Sequence, residues 1–264
     1  MKAPLPPKLY KYQSFNEYSL NNLRRGAFWF SKPENFNDPF DCNINFQLGD
    51  VTEENLELLF TSLREEAPNK EDFDRIYHSD GRVTKLFKDK VLEGSRNATV
   101  LLLERKFSVL GVTCFSEIND DILMWSHYTS SHQGFCLEFD TTKFPFMRTD
   151  KPDKDNAIEK VDYCDTYPVM SLKGIALNQL PYFSQNLLAT KSSHWAYERE
   201  WRLFSRRGNA ELDYDKAALT GVYLGCRITE ENKEIIKSIL GNSIPIYEMQ
   251  RSTTEFKVIA RESK

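Results

Sequence analysis

The chain has 264 residues, of which 40% are hydrophobic and 13% aromatic, and its net charge at pH 7 is −4. This composition supplies a sizeable core but lacks the positive field that holds nucleic acid without sequence preference. The five scattered cysteines indicate reduced thiols in a cytoplasm, and no apolar run suits a signal peptide or a transmembrane helix.

The N-terminal region is predicted to combine two short strands with a helix. Residues 9–12 (LYKY) have the composition of a strand, and Ser14 with Glu17 has the spacing of a capping box that starts a helix. Gly26 suits the end of that helix, and the aromatic residues 27–31 (AFWFS) predict a second strand.

A polar loop follows the second strand and carries Asn37, Asp38 and Asp41 between two prolines and a cysteine. Side chains of this kind bind nearby backbone N–H groups and stabilise turns, so a structural role is the simplest interpretation for at least one of them. The alternative is that the loop borders a site and supplies a polar contact.

The next part of the chain is highly charged and is predicted to be helical. Apolar stripes and capping residues indicate helices over residues 52–67, 70–77 and 82–103. Their charges are most simply solvated faces. We interpret this region, about residues 52–104, as a helical insert within a single catalytic-like domain that spans residues 1–264.

A strand–helix–strand unit follows the insert. Residues 108–116 have the most strand-like composition of the chain, ILMWSHY predicts a helix, and residues 135–139 predict the second strand. A helical register would place His132 above Tyr128 on one side, with His127 elsewhere. The two histidines are either structural residues or parts of a site, since they flank a polar turn beside a tyrosine.

The segment KSSHWAYEREWRLF, residues 191–204, is the strongest candidate for a functional strand. As a strand it would place Glu198, Glu200 and Arg202 on one face and aromatic side chains on the other. Carboxylates in a half-buried cleft wall are costly unless they are paired or used. One interpretation is a structural network in which Arg202 or Arg199 neutralises the glutamates, and the other is a catalytic pair.

The remaining elements complete an α+β fold. Residues 143–156 are rich in proline and charge and predict a surface excursion. Further strands and helices are predicted over residues 161–167, 172–189, 221–224, 229–241, 244–250 and 256–260. We expect short mixed or antiparallel strands around one core, with helices at the periphery.

Several sequence blocks resemble a bacterial family that is known only as a domain of unknown function. They are LYKY with the later GAFWFSKPENFNDPFD, then CFSE with MWSHYTSSHQGFCLEFD, and finally WAYEREWR. The resemblance covers most of the chain and its motifs are long, but it implies no activity.

A weaker resemblance is to the ADP-ribosyltransferase superfamily. It is carried by the order of a strand with LYKY, a helix, a glycine, a strand with WFS and an NDP loop, and it implies a split sheet with NAD as the substrate. Lys11 stands at the position of the superfamily's Arg or His, and Ser31 at that of its Ser. Glu198-Arg199-Glu200 is similar to the E-x-E of the arginine-directed branch.

The resemblance also implies roles for individual residues. Glu200 would stabilise the positive charge that develops on the ribose as the nicotinamide bond breaks, and Glu198 would orient or deprotonate the acceptor. Ser31 and His127 are the other catalytic candidates. The candidates for binding NAD are Tyr10, Lys11, Tyr12, Trp29, Phe30, Asn37, Asp38, Tyr128, His132 and Arg202. Among these, the four N-terminal aromatic residues would enclose the nicotinamide ring, and Lys11 would meet the pyrophosphate.

Three functions are therefore open. The first is an NAD-consuming enzyme, a toxin or phage-defence effector for instance, whose partners are NAD and a macromolecular acceptor, protein or nucleic acid, with no membrane. The second is a nuclease-like hydrolase that uses His127, His132 and the carboxylates of Asp38, Asp41 and Glu200, with or without a divalent metal. Oxygen ligands would suit magnesium or manganese, but no residue spacing demands a metal. The third is a non-catalytic binding module whose polar motifs only fix loops.

Overall fold

Residues 3–144 and 157–262 are described by a computed structural model, in which the chain forms two units. The first consists of Met1–Asn35, Val109–Val161 and Ser193–Lys264, and the second of Phe36–Ser108 and Asp162–Ser192. The second unit thus contains the predicted helical insert, the residues that flank it, and a separate later segment of the chain, Asp162–Ser192. From residue 145 onwards, the predicted surface excursion lies outside the described residues.

Strands and helices both contribute to the described chain. The strands are β1 (Lys8–Gln13), β2 (Ala27–Phe30), β3 (Gln47–Gly49), β4 (His78–Ser79), β5 (Arg82–Val83), β6 (Gly111–Ser116), β7 (Phe135–Asp140), β8 (Ala157–Lys160), β9 (Asp162–Cys164), β10 (Val169–Ser171), β11 (Thr190–Ser192), β12 (Glu200–Ser205), β13 (Ala210–Asp213), β14 (Leu219–Leu224), β15 (Ile246–Arg251) and β16 (Val258–Glu262). The α-helices are α1 (Glu17–Arg25), α2 (Glu53–Glu66), α3 (Lys70–Tyr77), α4 (Lys85–Phe107), α5 (Ile122–Tyr128), α6 (Leu172–Ala176), α7 (Leu180–Leu188) and α8 (Glu230–Leu240). The α+β prediction is confirmed. None of the helices within the described ranges has the length and apolar character that crossing a bilayer requires.

Eight strands of the first unit form one sheet in the order β16-β15-β14-β7-β1-β6-β12-β8. Strands β14 and β15 are parallel, and the other neighbouring pairs are antiparallel. The centre of the sheet is its weakest point, because β1 and β6 share only the pair Tyr10 and Ser116. By contrast, β1 pairs with β7 along all of Lys8–Gln13. The sheet is therefore nearly divided between β1 and β6.

The core of the first unit lies on one face of this sheet. Side chains along a strand alternate between faces, so every second residue of β7, β12 and β14 points to the core. These residues are Phe135, Leu137, Phe139, Trp201, Leu203, Val222 and Leu224. Leu23 of α1 and Ile236 of α8 are buried in the same cluster. The opposite face carries polar side chains beside a second apolar cluster, which contains Trp125, Cys136, Tyr223, Met249 and Val258.

The second unit consists of α2, α3, α4, α6 and α7 with three two-stranded sheets, in which β3 pairs with β10, β4 with β5 and β9 with β11. Its core contains Leu56, Leu59, Phe60, Phe87, Val91 and Leu172. Helices α2 and α3 confirm the predicted helices, with Thr52 and Asn69 as N-caps. Helix α4 begins later and extends further than predicted, from its N-cap Thr84 to Phe107.

Helix α1 confirms the predicted helix and its end at Gly26, but the predicted capping box is wrong. Asn16 is the N-cap: its Oδ1 accepts a hydrogen bond from the backbone N–H of Ser19 at 2.9 Å, and the Ser19 Oγ accepts one from the Asn16 N–H at 3.2 Å. Asn and Ser are about equally good N-caps, so the sequence allowed either start.

The prediction of one strand over residues 191–204 is wrong. After β11, Ser193–Glu198 form a 3-10 helix, Arg199 adopts the left-handed conformation with φ of 44°, and only then does β12 begin. Glu200 and Arg202 do share a strand face, whereas Glu198 lies before the turn. Strand alternation in the sequence could not reveal this, because a single left-handed residue resets the direction of the side chains.

The predicted helical register between Tyr128 and His132 is also wrong. Helix α5 ends at Tyr128, and the three residues Ser130, Ser131 and His132 all have positive φ, between 51° and 67°. Residues in this conformation cannot continue a right-handed helix. His132 therefore lies in a tight turn before β7.

Candidate functional site

Four polar side chains form a row across β7, β1, β6 and β12, on the face of the sheet opposite the core. Glu138 lies opposite Tyr10, Tyr10 opposite Ser116, and Ser116 opposite Glu200. Directly opposite residues of paired strands point to the same face, so these side chains are neighbours. We call these four residues the polar row.

Glu200, at one end of the polar row, forms a buried ion pair with Arg202. The guanidinium Nε and Nη2 donate to the two carboxylate oxygens at 2.9 and 3.0 Å, and the residues are 3% and 0% exposed. Cys114 lies opposite Arg202 on β6, and burial followed by the charge of Glu200 raises the pKa of its thiol. Arg202 thus neutralises Glu200, as one of the two interpretations expects, and the pair is fully buried instead of lying in a half-buried cleft wall.

Glu198 is buried beside the same end of the row. Its backbone carbonyl accepts a hydrogen bond from the Ser116 Oγ at 2.6 Å, and its Oε1 accepts one from the hydroxyl of Tyr128 at 2.5 Å. Ser116 therefore contacts Glu198 directly and faces Glu200 across the strand pair. The acidic motif, Glu198-Arg199-Glu200, thus lies beside the last residue of β6, with the Glu198 carboxylate on Tyr128 and the Glu200 carboxylate on Arg202.

Tyr128 connects Glu198 to a group of rings nearer the surface. The ring of exposed His127 lies 6.4 Å from that of Tyr128 and 6.2 Å from that of Trp195, whose ring is 6.0 Å from that of Tyr197. We call His127, Tyr128, Trp195 and Tyr197 the aromatic patch. The patch offers flat apolar surfaces next to a carboxylate.

Glu138, at the other end of the polar row, was not among the residues singled out in the sequence. Lys8, Tyr10, Thr220 and Tyr223 all donate hydrogen bonds to its carboxylate, at 2.8, 3.3, 2.9 and 2.8 Å. Burial opposes its ionisation, but the donors led by Lys8 outweigh it and hold its pKa below the usual value. The sequence signal that could have identified Glu138 is a single glutamate within the otherwise apolar strand FCLEF, at a position that faces away from the core.

Lys11 crosses the gap where β1 and β6 separate. Its ammonium donates to the Thr113 Oγ1 at 2.7 Å and to the Cys114 carbonyl at 3.1 Å, and it lies 5.2 Å from the centre of the Phe115 ring. Burial lowers the pKa of Lys11, although the neighbouring Cys114 and Glu200 oppose this shift. Lys11, which was predicted to bind the pyrophosphate of NAD, thus donates its hydrogen bonds to acceptors within the protein.

Ser31 pairs with Val112 at the start of β6, through backbone hydrogen bonds of 3.0 and 2.8 Å. Glu200 pairs with Ser116 at the end of the same strand. Four residues of extended strand separate the two positions by about 13 Å. Lys11 pairs with Leu137 on the core face of the sheet, Glu200 belongs to the polar row on the opposite face, and Ser31 lies at the far end of β6.

The four aromatic residues expected to enclose a nicotinamide ring do not come together. Phe30 is fully buried in the core of the first unit, while Trp29 is exposed on the other side of β2. Tyr10 belongs to the polar row, and Tyr12 packs edge-on against Trp125 at 5.4 Å. Tyr10 and Tyr12 thus pack against one apolar cluster, apart from Phe30 and Trp29, and the rings beside Glu198 are those of the aromatic patch.

The loop with Asn37 and Asp38 belongs to the second unit. Asn37 is exposed, and the Asp38 Oδ1 accepts a hydrogen bond from the backbone N–H of Phe40 at 2.9 Å, as expected for a turn. Asp41 is buried with Lys191, with 3.5 Å between its carboxylate and the ammonium. Among the described residues, no group of three or more His, Cys, Asp or Glu side chains is placed to hold a metal ion.

His132 packs against Trp125 in the turn before β7. Its ring lies nearly parallel to that of Trp125 at 6.5 Å, and its backbone carbonyl accepts a hydrogen bond from the N–H of Arg227 at 3.0 Å. Its Nδ1 is buried and, within the part of the chain that the structure describes, has no hydrogen-bond partner. Of the two predicted histidines, only His127 is placed beside Tyr128.

We expect His132 to make the folded protein less stable in mild acid. Burial, and next the charge of Arg227, lowers its pKa below the ordinary 6.5. Its contribution to the free energy of unfolding is therefore fully present above about pH 6.5 and is lost as the pH falls through the lowered value. Urea denaturation at about pH 7.5 and about pH 5 measures this loss. His132→Asn, which tolerates the left-handed backbone, should lose less, and equal losses in the two proteins would show the assignment to be wrong.

Residues 124–203 match a family model described as a protein of unknown function (DUF2971). The match confirms the predicted resemblance to a family without an assigned activity. It includes most of α5 and most of β12, so Tyr128, Glu198, Glu200 and Arg202 all lie within the matched residues. No curated protein and no solved structure gave a match to the chain.

Proposed function

We propose that the chain is an NAD-consuming enzyme of the ADP-ribosyltransferase type, in which Glu198 and Glu200 carry the site. The observation that supports this most is that both glutamates adjoin Ser116, where the sheet is nearly divided: the Glu198 backbone carbonyl accepts a hydrogen bond from Ser116, and Glu200 pairs with it across the strands. Both are buried, one bound by Tyr128 and the other by Arg202. Carboxylates fixed in this way suit a reaction in which positive charge develops on a sugar.

The proposed reaction breaks the bond between the nicotinamide nitrogen and C1′ of the ribose. The electron pair of that bond leaves with nicotinamide, which becomes neutral, and C1′ becomes positively charged. An oxygen or nitrogen of water or of an acceptor then bonds to C1′, and its proton passes to a carboxylate. One of the two glutamates stabilises the positive charge on the sugar. Either that glutamate or the other one accepts the proton as the base.

The contacts favour Glu198 as the carboxylate that meets the ribose. It is linked through the hydroxyl of Tyr128 to rings nearer the surface. Glu200 uses both oxygens on Arg202, which suits a residue that positions the turn between the two glutamates. This assignment exchanges the roles that the sequence resemblance implied for them.

The aromatic patch is the proposed binding surface for a ring of the dinucleotide. Half-buried Trp195 and Tyr197, with exposed His127, can stack on nicotinamide or adenine. Exposed Arg199, between the two glutamates, can supply a cation for the phosphates. All five cysteines are free, which supports a reducing cytoplasm as the place where the protein acts.

The test is to incubate the purified protein with NAD labelled in its adenylate part and to follow both nicotinamide and the label. Release of nicotinamide with label on a protein or nucleic acid supports a transferase. Release with free labelled ADP-ribose supports the hydrolytic form of the same reaction. Intact NAD after incubation with folded protein and a mixed extract of acceptors would contradict the proposal.

A further inference from the structure

The second unit contains an apolar cavity of about 410 Å³ between α2, α3 and α4, with residues of β10 and α6 on its far side. Three rings form one wall, those of Phe73, Tyr77 and Phe87, which contact one another edge-on or tilted at 4.9 to 6.3 Å. Leu59 and Met170 are among its other apolar residues. Its volume lies within the range of small-molecule sites in proteins.

The cavity opens to solvent, so its apolar walls are in contact with water. Removing apolar surface from water is favourable, and concave apolar pockets are where small ligands bury most of their own surface. A bound apolar ligand would cover these side chains. The cavity is therefore a candidate binding site in its own right.

The charge around the cavity indicates what kind of apolar molecule fits. Among the described residues that line it, Lys90 is the only one that carries a charge, and there is no carboxylate. Lys90 is exposed and therefore lies at the mouth. Ser95 and Thr99, which also line the cavity, add two hydroxyl groups on the same helix.

The mouth of the cavity follows one side of α4. Lys90, Gly94 and Ala98 are spaced by four residues and are exposed, so they lie one above another along the helix. A Cβ atom added at Gly94 would meet no atom within 4 Å. The small side chains of Gly94 and Ala98 thus leave the mouth of the cavity open next to Lys90.

We propose that this cavity binds a free aliphatic monocarboxylate, with its chain among the apolar residues and its carboxylate at Lys90. An apolar pocket with a single cation at the mouth is complementary to an amphipathic anion, whereas an aliphatic amine would place like charges together. The inference uses only residues of the second unit. It is independent of the proposed NAD chemistry.

Calorimetric titration of the full chain with octanoate, octanol and octylamine tests the proposal. We expect octanoate to bind, octanol to bind at least tenfold more weakly and octylamine not to bind. Lys90→Gln should weaken octanoate about tenfold, the scale of one charge-assisted hydrogen bond at an exposed position. Octanoate should also raise the melting temperature, as any ligand of the folded state does.

Gly94→Leu is the decisive variant, because its side chain would enter the mouth from a position with open space around it. It should remain folded, since leucine favours a helix more than glycine does, and should lose octanoate binding. The matched control is Glu93→Gln, the exposed neighbour that does not line the cavity, which should bind as the wild type does. The proposal is wrong if folded wild-type protein fails to bind octanoate, if octanol binds equally well, or if either Lys90→Gln or Gly94→Leu binds octanoate unchanged.

Discussion

Replacing Arg202 by methionine is expected to lower the free energy of unfolding by about 3–5 kcal/mol, as the loss of one partner of a buried ion pair usually does. Arg202 is fully buried and binds both oxygens of Glu200. Without the guanidinium, the Glu200 carboxylate would remain in the interior with its charge uncompensated, and this penalty, more than the lost attraction, produces the effect. Urea denaturation followed by circular dichroism measures it.

Two further variants make this result specific. The double variant Glu200→Gln, Arg202→Met removes both charges and should be clearly more stable than Arg202→Met alone. Arg64→Met removes a guanidinium that binds Asp74 through two nitrogens at 2.6 and 2.8 Å, but on the surface, and should change the denaturation midpoint little. A double variant as unstable as the single one would mean that the pair is not the source of the effect.

Glu198→Gln is expected to reduce the rate of nicotinamide release about 10²- to 10³-fold, the scale seen when one electrostatic contact to a transition state is removed. The amide has the shape of the carboxylate, and its oxygen can still accept the hydrogen bond from Tyr128. Folding should therefore be preserved while the negative charge is lost. Tyr128→Phe keeps that charge and should reduce the rate less, because it removes only the hydrogen bond from the Tyr128 hydroxyl to Glu198.

The parts of the fold that depend on local signals could be predicted from the sequence. Helix α8 begins after Thr229 and ends at Gly241 as its capping residues indicate, and α2 begins after Thr52. The strand β7 could be predicted because its apolar residues alternate with others that face away from the core. In each case the deciding residues are within a few positions of one another.

The candidate site was predictable in composition but not in geometry. The acidic motif drew attention to Glu198, Glu200 and Arg202, yet the left-handed turn at Arg199 is stabilised by a distant residue: its carbonyl accepts a hydrogen bond from the N–H of Glu117 at 3.1 Å. The polar row likewise exists only because strands far apart in sequence are paired. The environment of Glu138 was missed for this reason.

Nicotinamide release from NAD by the wild type and by Glu198→Gln, measured side by side at equal concentrations of folded protein, tests the proposed site most directly. We expect steady release by the wild type, a rate about 10²- to 10³-fold lower for Glu198→Gln, and an unchanged rate for the control Glu211→Gln, which alters a surface partner of Arg25 on β13. No release by the folded wild type, or equal rates for the wild type and Glu198→Gln, would contradict the assignment of Glu198 as the carboxylate that stabilises the sugar cation.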